Sequence, residues 1–472
     1  MKNRTALMAA AGFIAAATVV VLFSLAEEKA RAPSAPSERG ALPETVKELE
    51  IKRGLSPVEQ ECIQCHSREE AGKVRDWSHS IMARSNVTCL DCHKAAATDK
   101  DAVDCPGTEK YADLKISPVV TPGDCSRCHP AEADQFARSK HARTWHIQTV
   151  ELEDPFMKGM TSEVERAVGC YVCHGSDISD GELTEMNWPN EGCGRKNPDN
   201  TLGSCVICHT SHHFSIAEAR RPETCGQCHL GPDHPQDEIY FESKHGKRYL
   251  ADGRNWKFDT APDAWEPGSD FTAPTCAACH LSGLGSLSTS HDVGERMKWE
   301  SQAPLTVMNK DHDGNREREK MIEVCTQCHS RRWSANYLAR YDRAVEHYDS
   351  VYFKPVKKTM DELYAQKLLT KWPYFDEEIE WIFYEYWHHE GRRARMGAAM
   401  MGPDYAWWHG FYDLKKSYMH FAKAVEEVRE KGHGSPVWIP GTGGENMTPA
   451  DIKPLPAAWE DVNNLTGKPA GD

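Results

Sequence analysis

Hydrophobic side chains are scarce for a chain of this length. They make up 39% of the 472 residues, and the mean hydropathy is −0.65. A chain of this size needs a large buried interior to be stable. We therefore expect something other than amino-acid side chains to fill much of the core.

Basic residues are outnumbered as well. Lysine and arginine total 56, against 71 aspartate and glutamate residues, which gives a formal net charge of −15. Proteins that bind nucleic acid rely on cationic surfaces that neutralise phosphates. The charge therefore argues against nucleic acid as a partner and favours partners with a basic face.

Cysteine and histidine, by contrast, are abundant, with 18 and 23 residues. Sixteen of the cysteines fall into a motif, Cys-x-x-Cys-His, that occurs eight times. Two thiols three positions apart match the two vinyl groups of one haem, and the histidine that follows can bind the iron. The pattern predicts eight covalently attached c-type haems. The motifs are Cys62/Cys65/His66, Cys89/Cys92/His93, Cys125/Cys128/His129, Cys170/Cys173/His174, Cys205/Cys208/His209, Cys225/Cys228/His229, Cys276/Cys279/His280 and Cys325/Cys328/His329.

A disulfide or zinc framework is the alternative explanation of so many cysteines. Neither framework explains why a histidine follows every second cysteine. Two cysteines, Cys105 and Cys193, lie outside the motifs. For these two, a disulfide, two free thiols and no function at all remain open.

The N-terminal segment indicates export to the periplasm or another extracytoplasmic compartment. Two basic residues precede an apolar run at 6–26 that ends in small residues, as in a signal peptide. The run is also long enough to span a bilayer as a helix. Residues 1–26 are thus a cleaved signal peptide or a retained membrane anchor. Residues 27–55, rich in proline, alanine, serine and glutamate, fit a flexible tether.

The predicted fold is mainly α, in two parts. Residues 56–330 hold all eight motifs at irregular intervals, which indicates a multihaem cytochrome c domain of short helices and loops rather than a solenoid. Residues 331–432 hold no motif and are rich in aromatic residues and helix formers. We expect a C-terminal bundle of three long helices there, followed by an extended tail at 433–472.

The three helices are predicted from hydrophobic periodicity at roughly 333–370, 376–400 and 403–432. Pro355 predicts a kink or restart in the first helix, and Pro403 is suited to the first turn of the third. The apolar stripes are Leu338, Tyr341, Val345, Tyr348 and Tyr352 in the first helix, Ile379, Ile382, Phe383 and Tyr386 in the second, and Phe411, Leu414, Tyr418, Phe421, Val425 and Val428 in the third.

The stripe on the third helix follows steps of three and four, as in a coiled-coil seam. It predicts either packing against the chain's own haem domain or self-association.

Each motif histidine supplies one axial ligand, which leaves fifteen others for the second position. A chain built only for conduction would ligate every iron twice, whereas an enzyme would leave one iron open beside proton-transfer groups. We therefore expect most of the haems to have two histidine ligands. Each candidate for the second position has an alternative role as a surface or capping histidine. The candidates are His79, His141, His146, His212, His245 and His291, with His213, His312 and His347 as weaker ones.

Asp233 and His234 are candidates for proton transfer. They are adjacent and lie between Pro232 and Pro235, which present them rigidly. Their pKa values could be pushed apart so that they share acid and base roles. The alternative is an ordinary proline-rich turn.

The chain resembles the octahaem hydroxylamine oxidoreductases, a family that includes hydrazine dehydrogenases and nitrite-reducing relatives. The resemblance rests on eight CxxCH motifs with no CxxCK, on the run 231–236 followed by Ser243-Lys244-His245, on the run 276–283 followed by His291-Asp292, and on the C-terminal helices. The missing CxxCK makes pentahaem nitrite reductases and octahaem tetrathionate reductases poorer matches.

The resemblance implies specific roles. It implies that the haem at Cys170, Cys173 and His174 is catalytic and lacks a distal protein ligand, and that Asp233 and His234 lie on its distal side. Oxidative members form a homotrimer in which a neighbouring subunit's tyrosine is bonded to the catalytic porphyrin. Tyr405 is the candidate here, among ten other tyrosines from residue 337 onward, and residues 403–431 would help hold the trimer.

The leading functional hypothesis is oxidation of hydroxylamine, or of hydrazine, at the fourth haem. Seven bis-histidine haems would pass the electrons to an external c-type cytochrome or a membrane quinone-linked partner. The first alternative is the reverse direction, in which nitrite or hydroxylamine is reduced to ammonium. The second is a non-catalytic electron conduit with eight bis-histidine haems.

Overall fold

The computed structural model describes residues 54–111, 113–144, 162–188, 192–297, 299–300, 307–308, 314–371 and 375–437. The predicted signal or anchor, nearly all of the tether, the ligand candidates His146 and His312, and residues 438–472 of the predicted tail lie outside these ranges. Within them, no helix is long and apolar enough to cross a membrane. Helices account for 57% of the structure and strands for 4%, which confirms the mainly α prediction.

Short helices dominate the region that holds the motifs. The α-helices are Pro57–Glu69, Ala71–His79, Ile81–Arg84, Cys89–His93, Pro122–Ser126, Pro130–Arg138, Glu163–Glu165, Tyr171–His174, Ile216–Ala219, Pro222–Gly226, Gln236–Glu242, Lys244–Asp252, Cys276–His280 and Gly314–Thr326. A π-helix spans Arg166–Cys170, and 3-10 helices span Cys205–Ile207, Gly253–Asn255 and Glu295–Met297. Strands Lys94–Ala95 and Lys115–Ile116 pair antiparallel, as do Trp299–Glu300 and Val307–Met308.

The motifs lie in or beside single helical turns, which puts their two cysteines on one face. The turn around Cys125 shows how such a short helix begins. The Thr121 hydroxyl accepts a hydrogen bond from the Asp124 amide at 3.4 Å, and the Asp124 carboxylate accepts one from the Thr121 amide at 3.0 Å. This capping box satisfies amides that a helix of five residues otherwise leaves unpaired.

The first C-terminal helix comprises Arg331–His347, a π-helix at Tyr348–Phe353 and Lys354–Ala365. The predicted restart at Pro355 corresponds to the turn after this π-helix. Proline has no amide hydrogen to donate, so a change of hydrogen-bonding pattern just before it is the expected response.

The other two C-terminal helices are interrupted in the same way. The second comprises Glu378–Tyr384, a π-helix at Glu385–Gly391 and Arg392–Met400, and the third comprises Pro403–Ala406, a π-helix at Trp407–Tyr412 and Asp413–Lys431. The third helix ends at Gly432, whose φ of +77° suits the left-handed cap that glycine favours. The observed ends lie within five residues of the predicted ones.

These three helices and the loop at Leu369 bury one apolar cluster, which we call the C-terminal core. The seam of the third helix packs there against the other two helices, rather than against the haem domain as one alternative predicted, because their apolar stripes face it. Tyr418 of that seam is 50% exposed. The C-terminal core comprises Tyr348, Tyr352, Phe353, Val356, Met360, Leu363, Leu369, Ile379, Tyr386, Trp387, Ala394, Leu414, Phe421, Val425 and Val428.

Apolar packing in the motif region is concentrated late in the chain. A second cluster of ten buried residues spans 240–324 and includes Trp256, Trp265 and Phe271. Among the described residues of 54–235, the buried hydrophobic residues are Ala95, Val119, Phe136, Ala142, Ile178 and Cys193.

Candidate functional site

Four predicted distal histidines lie opposite motif histidines. Two imidazoles that share one metal ion, each bonded at about 2.0 Å, place their ring centroids about 6 Å apart. The observed centroid distances are 6.2 Å for His93 and His212, 5.9 Å for His141 and His229, 6.4 Å for His209 and His291, and 6.2 Å for His245 and His329.

Hydrogen bonds orient two of these rings. Nδ1 of His93 lies 2.8 Å from the carbonyl oxygen of Ser117, and Nδ1 of His229 lies 3.3 Å from Oε1 of Gln236. A ring that donates from Nδ1 presents Nε2 to a metal. A further candidate, His79, holds its Nδ1 2.8 Å from the carbonyl oxygen of Arg75. These spacings and hydrogen bonds are compatible with axial ligation of haem iron.

The first and third motifs differ from these four in the surroundings of their histidines. Among the described residues, these four ring pairs do not include His66, His129, His174 or His280. The expectation that most haems have two histidine ligands stays a prediction for their motifs. His66 and His129 have local surroundings of their own. Nδ1 of His66 lies 2.7 Å from the carboxylate of Glu70, four residues on, so the ring faces its own helix. His129 is exposed and precedes the helix Pro130–Arg138.

Neither contact prevents these two rings from binding iron. The bond from His66 to Glu70 uses Nδ1 and leaves Nε2 available to a metal. His129 lies within electrostatic reach of both His209 and His291 of the fifth motif's pair. Axial ligation by His66 and His129, and the identity of their distal partners, therefore stay predictions.

The second thiol is exposed in four of the eight motifs. These thiols are Cys65, Cys128, Cys208 and Cys328, whereas the first thiols of the same motifs, Cys62, Cys125, Cys205 and Cys325, are partly buried. A thiol must be accessible to react with a vinyl group, so exposure is compatible with haem attachment. Attachment at each of these thiols stays a prediction.

The weaker ligand candidates have other contacts. His213 holds its Nδ1 2.6 Å from the carboxylate of Glu218. His347 packs its ring against Tyr352 and Phe411, on the C-terminal helices. Neither contact brings these histidines to a motif.

Three pairs of thiols from different motifs lie within hydrogen-bonding reach of each other. They show that the third motif neighbours the fifth, the fourth neighbours the sixth, and the sixth neighbours the seventh. The pairs are Cys125 with Cys205, Cys173 with Cys228, and Cys225 with Cys276.

The π-helix Arg166–Cys170 ends at the first cysteine of the fourth motif. Turns of π-helix are frequent at functional sites. Burial lowers the pKa of His174, and the charge of His234 lowers it further, while the charge of Asp233 opposes both effects. The structure thus brings the Asp233 and His234 pair within electrostatic reach of the histidine of the fourth motif.

Asp233 and His234 form a close ion pair. Nδ1 of His234 lies 2.6 Å from Oδ1 of Asp233, and its Nε2 lies 3.1 Å from the carbonyl oxygen of Cys228. Burial lowers the pKa of His234, but the hydrogen bond to Asp233 and the charge of Asp233 raise it above its usual value. The imidazole therefore holds a proton more readily than a free histidine.

Two further residues, His388 and Arg392, reach this pair from the second C-terminal helix. The Arg392 guanidinium lies 3.0 Å from Oδ2 of Asp233, and Nε2 of His388 lies 3.9 Å from the same oxygen. Burial raises the pKa of Asp233, but its bond to His234 and the charges of His234, His388 and Arg392 lower it well below the usual range. Burial, followed by the charge of Arg392, lowers the pKa of His388 to about 2.

His388 and Arg392 were not predicted from the sequence. The available signal was their spacing of four residues within a predicted helix, which puts both on one face. Nothing in the sequence connected that face with Asp233, which is 155 positions from His388.

Tyr405 lies against the helix Gln236–Glu242, which follows the Asp233 and His234 pair. Its hydroxyl donates a hydrogen bond to the Glu238 carboxylate of the same chain, and its amide donates to Oε1 of Glu242 at 3.1 Å. The bond to a neighbouring subunit's haem stays a prediction.

Cys105 and Cys193 are both free thiols in the structure. Cys193 is buried, and its Sγ lies 3.2 Å from the carbonyl oxygen of Cys173 in the fourth motif. The Cys105 thiol lies 3.9 Å from the carbonyl oxygen of Pro106. Of the three open alternatives, the structure therefore does not contain the disulfide.

The fold and these ligand sets define a multihaem c-type cytochrome. A family model described as "Seven times multi-haem cytochrome CxxCH" matches residues 58–372, a span that contains all eight motifs. The chain belongs to this multihaem cytochrome family, and it carries covalently bound c-type haems. Proteins of this class are typically extracytoplasmic.

Known relatives confirm the resemblance to hydroxylamine oxidoreductases. A "Probable nitrite reductase-hydroxylamine oxidoreductase fusion protein" of Kuenenia stuttgartiensis is 26% identical over 332 residues, which is 60% of this chain and 35% of that protein. The chain thus spans about a third of the length of this relative.

Solved structures share the fold. A hypothetical multiheme protein aligns with a TM-score of 0.71 and 24% identity, over 80% of this chain and 97% of its own. The Kuenenia stuttgartiensis "reducing HAO-like protein complex" aligns with a TM-score of 0.60 and 20% identity, over 81% and 89%.

Proposed function

We propose that this protein is an oxidoreductase that oxidises hydroxylamine, or hydrazine, at the fourth motif. The observation that carries the proposal is that the Asp233 and His234 ion pair lies within electrostatic reach of His174. The name of the Kuenenia relative, which joins nitrite reductase and hydroxylamine oxidoreductase, supports the substrate class.

A c-type haem held by Cys170, Cys173 and His174 would supply an iron that binds the substrate nitrogen and accepts its electrons. Oxidation of an N–H compound releases protons together with electrons, so groups that move protons must lie beside the nitrogen. His234 holds a proton at Nε2, which in the structure donates to the Cys228 carbonyl, and it moves that proton when this hydrogen bond is released. Asp233 stabilises the charged imidazole through Nδ1.

Arg392 acts one step further from the reaction. Its guanidinium, 3.0 Å from Asp233, keeps that carboxylate ionised and fixed in direction. We assign it a positioning role, since it acts through Asp233.

Electrons leave through the sixth motif, whose Cys228 neighbours Cys173 of the fourth. The sixth motif in turn neighbours the seventh through Cys225 and Cys276. Eight haems, seven of them with two histidine ligands, would store several electrons before an external c-type cytochrome or quinone-linked partner removes them. The formal charge of −15 favours a partner with a basic docking face.

The test replaces the proton-transfer groups one at a time. Asp233→Asn and His234→Ala should each slow hydroxylamine oxidation about a hundredfold or more, with the haem content unchanged. Asp259→Asn, at an exposed aspartate, is the matched control and should keep wild-type turnover. Wild-type rates in both site variants would remove the pair from the mechanism.

Reduction of nitrite or hydroxylamine to ammonium is the second candidate function. It is supported by the name of the Kuenenia relative, which includes a nitrite reductase. If the protein is oxidative, denaturing gels should show haem-stained multimers that survive boiling and reductant. Tyr405→Phe should abolish those multimers together with hydroxylamine oxidation.

Monomers alone on those gels, together with reduction of nitrite to ammonium by an artificial donor, would make the reductive function the correct one. The conduit alternative predicts a third result. All eight haems would be low-spin in magnetic resonance and would ignore cyanide and nitric oxide.

A further inference from the structure

Three carboxylates, those of Asp376, Glu377 and Glu380, meet where the second C-terminal helix begins. Each offers an oxygen, and these oxygens all lie within 4.8 Å of one another. Glu377 is 6% exposed and Glu380 is 4% exposed. We call these three residues the acidic cluster.

The charges of the acidic cluster are not balanced by a base among the described residues around it. The main electrostatic neighbours of Glu377 and Glu380 are each other, Asp376, the Tyr364 hydroxyl and backbone amides. Like charges at this spacing repel one another strongly when they are removed from water. The arrangement therefore requires either protons or a bound cation.

One oxygen of the cluster has no donor. Oε1 of Glu377 accepts a hydrogen bond from the Thr370 amide at 2.9 Å, but Oε2 of the same carboxylate is buried and accepts no hydrogen bond from a donor group in the described part of the chain. The Glu377 and Asp376 carboxyl groups lie within hydrogen-bonding reach of each other, so a shared proton or a cation must stabilise them. Burial of a carboxylate oxygen without a donor is unfavourable.

The remaining oxygens of the cluster are held in fixed directions. The Thr370 hydroxyl donates to Oδ2 of Asp376 at 2.9 Å, and the Phe375 amide donates to Oε2 of Glu380 at 2.6 Å. Tyr364 donates its hydroxyl hydrogen to the other oxygen of Glu380. Donors of this kind stabilise the ionised carboxylates and orient them before any ligand arrives.

We propose that Asp376, Glu377 and Glu380 form a calcium site. The ligands are all oxygen atoms, which suit hard cations and not zinc or copper. Ca²⁺ accepts six to eight oxygen ligands in irregular arrangements, whereas Mg²⁺ demands a near-octahedral set. Water molecules and nearby carbonyl oxygens would complete the shell.

The site joins two distant parts of the C-terminal region. The Glu378 amide donates to the Ser435 carbonyl at 3.1 Å, and the Val437 amide donates to the Asp376 carbonyl at 2.9 Å. The backbones approach so closely that a Cβ on Gly434 would lie 2.3 Å from Cγ of Glu377. Bound calcium would fix the chain after the third C-terminal helix to the start of the second.

The experiment uses purified holoprotein freed of calcium with EGTA. Equilibrium dialysis with ⁴⁵Ca²⁺ should show about one saturable site per chain, with a Kd of about 10⁻³ M or tighter, as in extracellular calcium modules. Calcium should also raise the Tm followed by circular dichroism. Glu377→Gln and Glu380→Gln should lose both effects, while Glu426→Gln, at an exposed glutamate of the third helix, should keep them.

Two results would overturn the proposal. One is the absence of saturable binding, or binding that both site variants retain. The other is a wild-type Tm that calcium leaves unchanged, because a shared proton then satisfies the cluster. If the glutamate variants fail to fold, Asp376→Asn provides the same comparison, since Asp376 is less buried.

Discussion

The first half of the described chain and its C-terminal region differ in how many apolar side chains they bury. Residues 54–235 contain six of the eight motifs, but among the described residues of this range the buried hydrophobic ones are few and separated along the chain. The C-terminal helices contain no motif, and they bury fifteen apolar residues together. We infer from this difference that covalent haems fill the core in the first region, as apolar side chains do in the second.

Removal of the haems should have the largest effect, because it should destabilise one region much more than the other. Protein made in cells that cannot attach haem should lose protection of its backbone amides throughout 54–235, because little apolar packing remains there. The C-terminal helices should keep substantial protection, since their core consists of side chains. Hydrogen exchange followed by mass spectrometry measures both regions in one sample.

Fully haem-loaded protein is the control for that measurement. Equal protection of residues 54–235 with and without haem would show that side chains alone hold the motif region together. Loss of protection in both regions would show instead that the C-terminal helices depend on the haem domain.

A cavity in the C-terminal core should have the next largest effect. Leu363 is 0% exposed, and Leu363→Ala should lower the free energy of unfolding by about 2–5 kcal/mol through lost burial and an unfilled cavity. Haem content should not change. Met419→Ala, at a residue 70% exposed, is the matched control. Denaturant unfolding followed by tryptophan fluorescence measures the difference, and equal midpoints would count against a core built from side chains.

Removal of one distal histidine should have a smaller, local effect. His212→Ala should convert one haem from low-spin to high-spin, because the iron bound by His93 would then have only that one axial ligand. The two thioether bonds would still hold the haem. His213→Ala is the control, since that neighbour bonds to Glu218 instead. Electron paramagnetic resonance distinguishes the two states. An unchanged spectrum in the first variant would disprove the pairing of His93 with His212.

The smallest expected effect is a dependence of stability on pH, caused by Glu377 in the C-terminal region. Burial raises the pKa of Glu377 from 4.5 to about 8. A raised carboxyl pKa contributes stability that is full below about pH 4.5 and is lost as the pH rises through about 8. In EGTA, wild type should therefore lose stability relative to Glu377→Gln across this interval.

The measurement is the difference in Tm between the two proteins from about pH 4.5 to about 8. The groups that face Glu377 there are Asp376, Glu380 and Thr370, and added calcium should remove the pH dependence. A Tm difference that stays constant over the interval without calcium would show that Glu377 is not protonated in the folded state.

The helices were predictable from the sequence because their signals are local. Apolar residues at steps of three and four predicted the three C-terminal helices, and the predicted ends lie within five residues of the observed ones. Gly432 correctly indicated the end of the third helix. The π-helices were not predicted, because a one-residue change in hydrogen-bonding pattern leaves the apolar stripe almost intact.

The sequence by itself determined the class of this protein. Two thiols and a histidine within five consecutive residues are brought to one haem by a single helical turn, so the motif needs no tertiary information. The Asp233 and His234 pair was visible for the same reason, since adjacent residues are always close.

Only the tertiary structure decided which histidine faces which motif and which residues complete the site. His291 lies opposite His209, and Arg392 contacts Asp233, across 82 and 159 positions. The acidic cluster likewise gains its burial from residues 433–437, which follow it by more than fifty positions. Contacts of this kind depend on how helices cross in space, and no periodicity along the chain encodes that crossing.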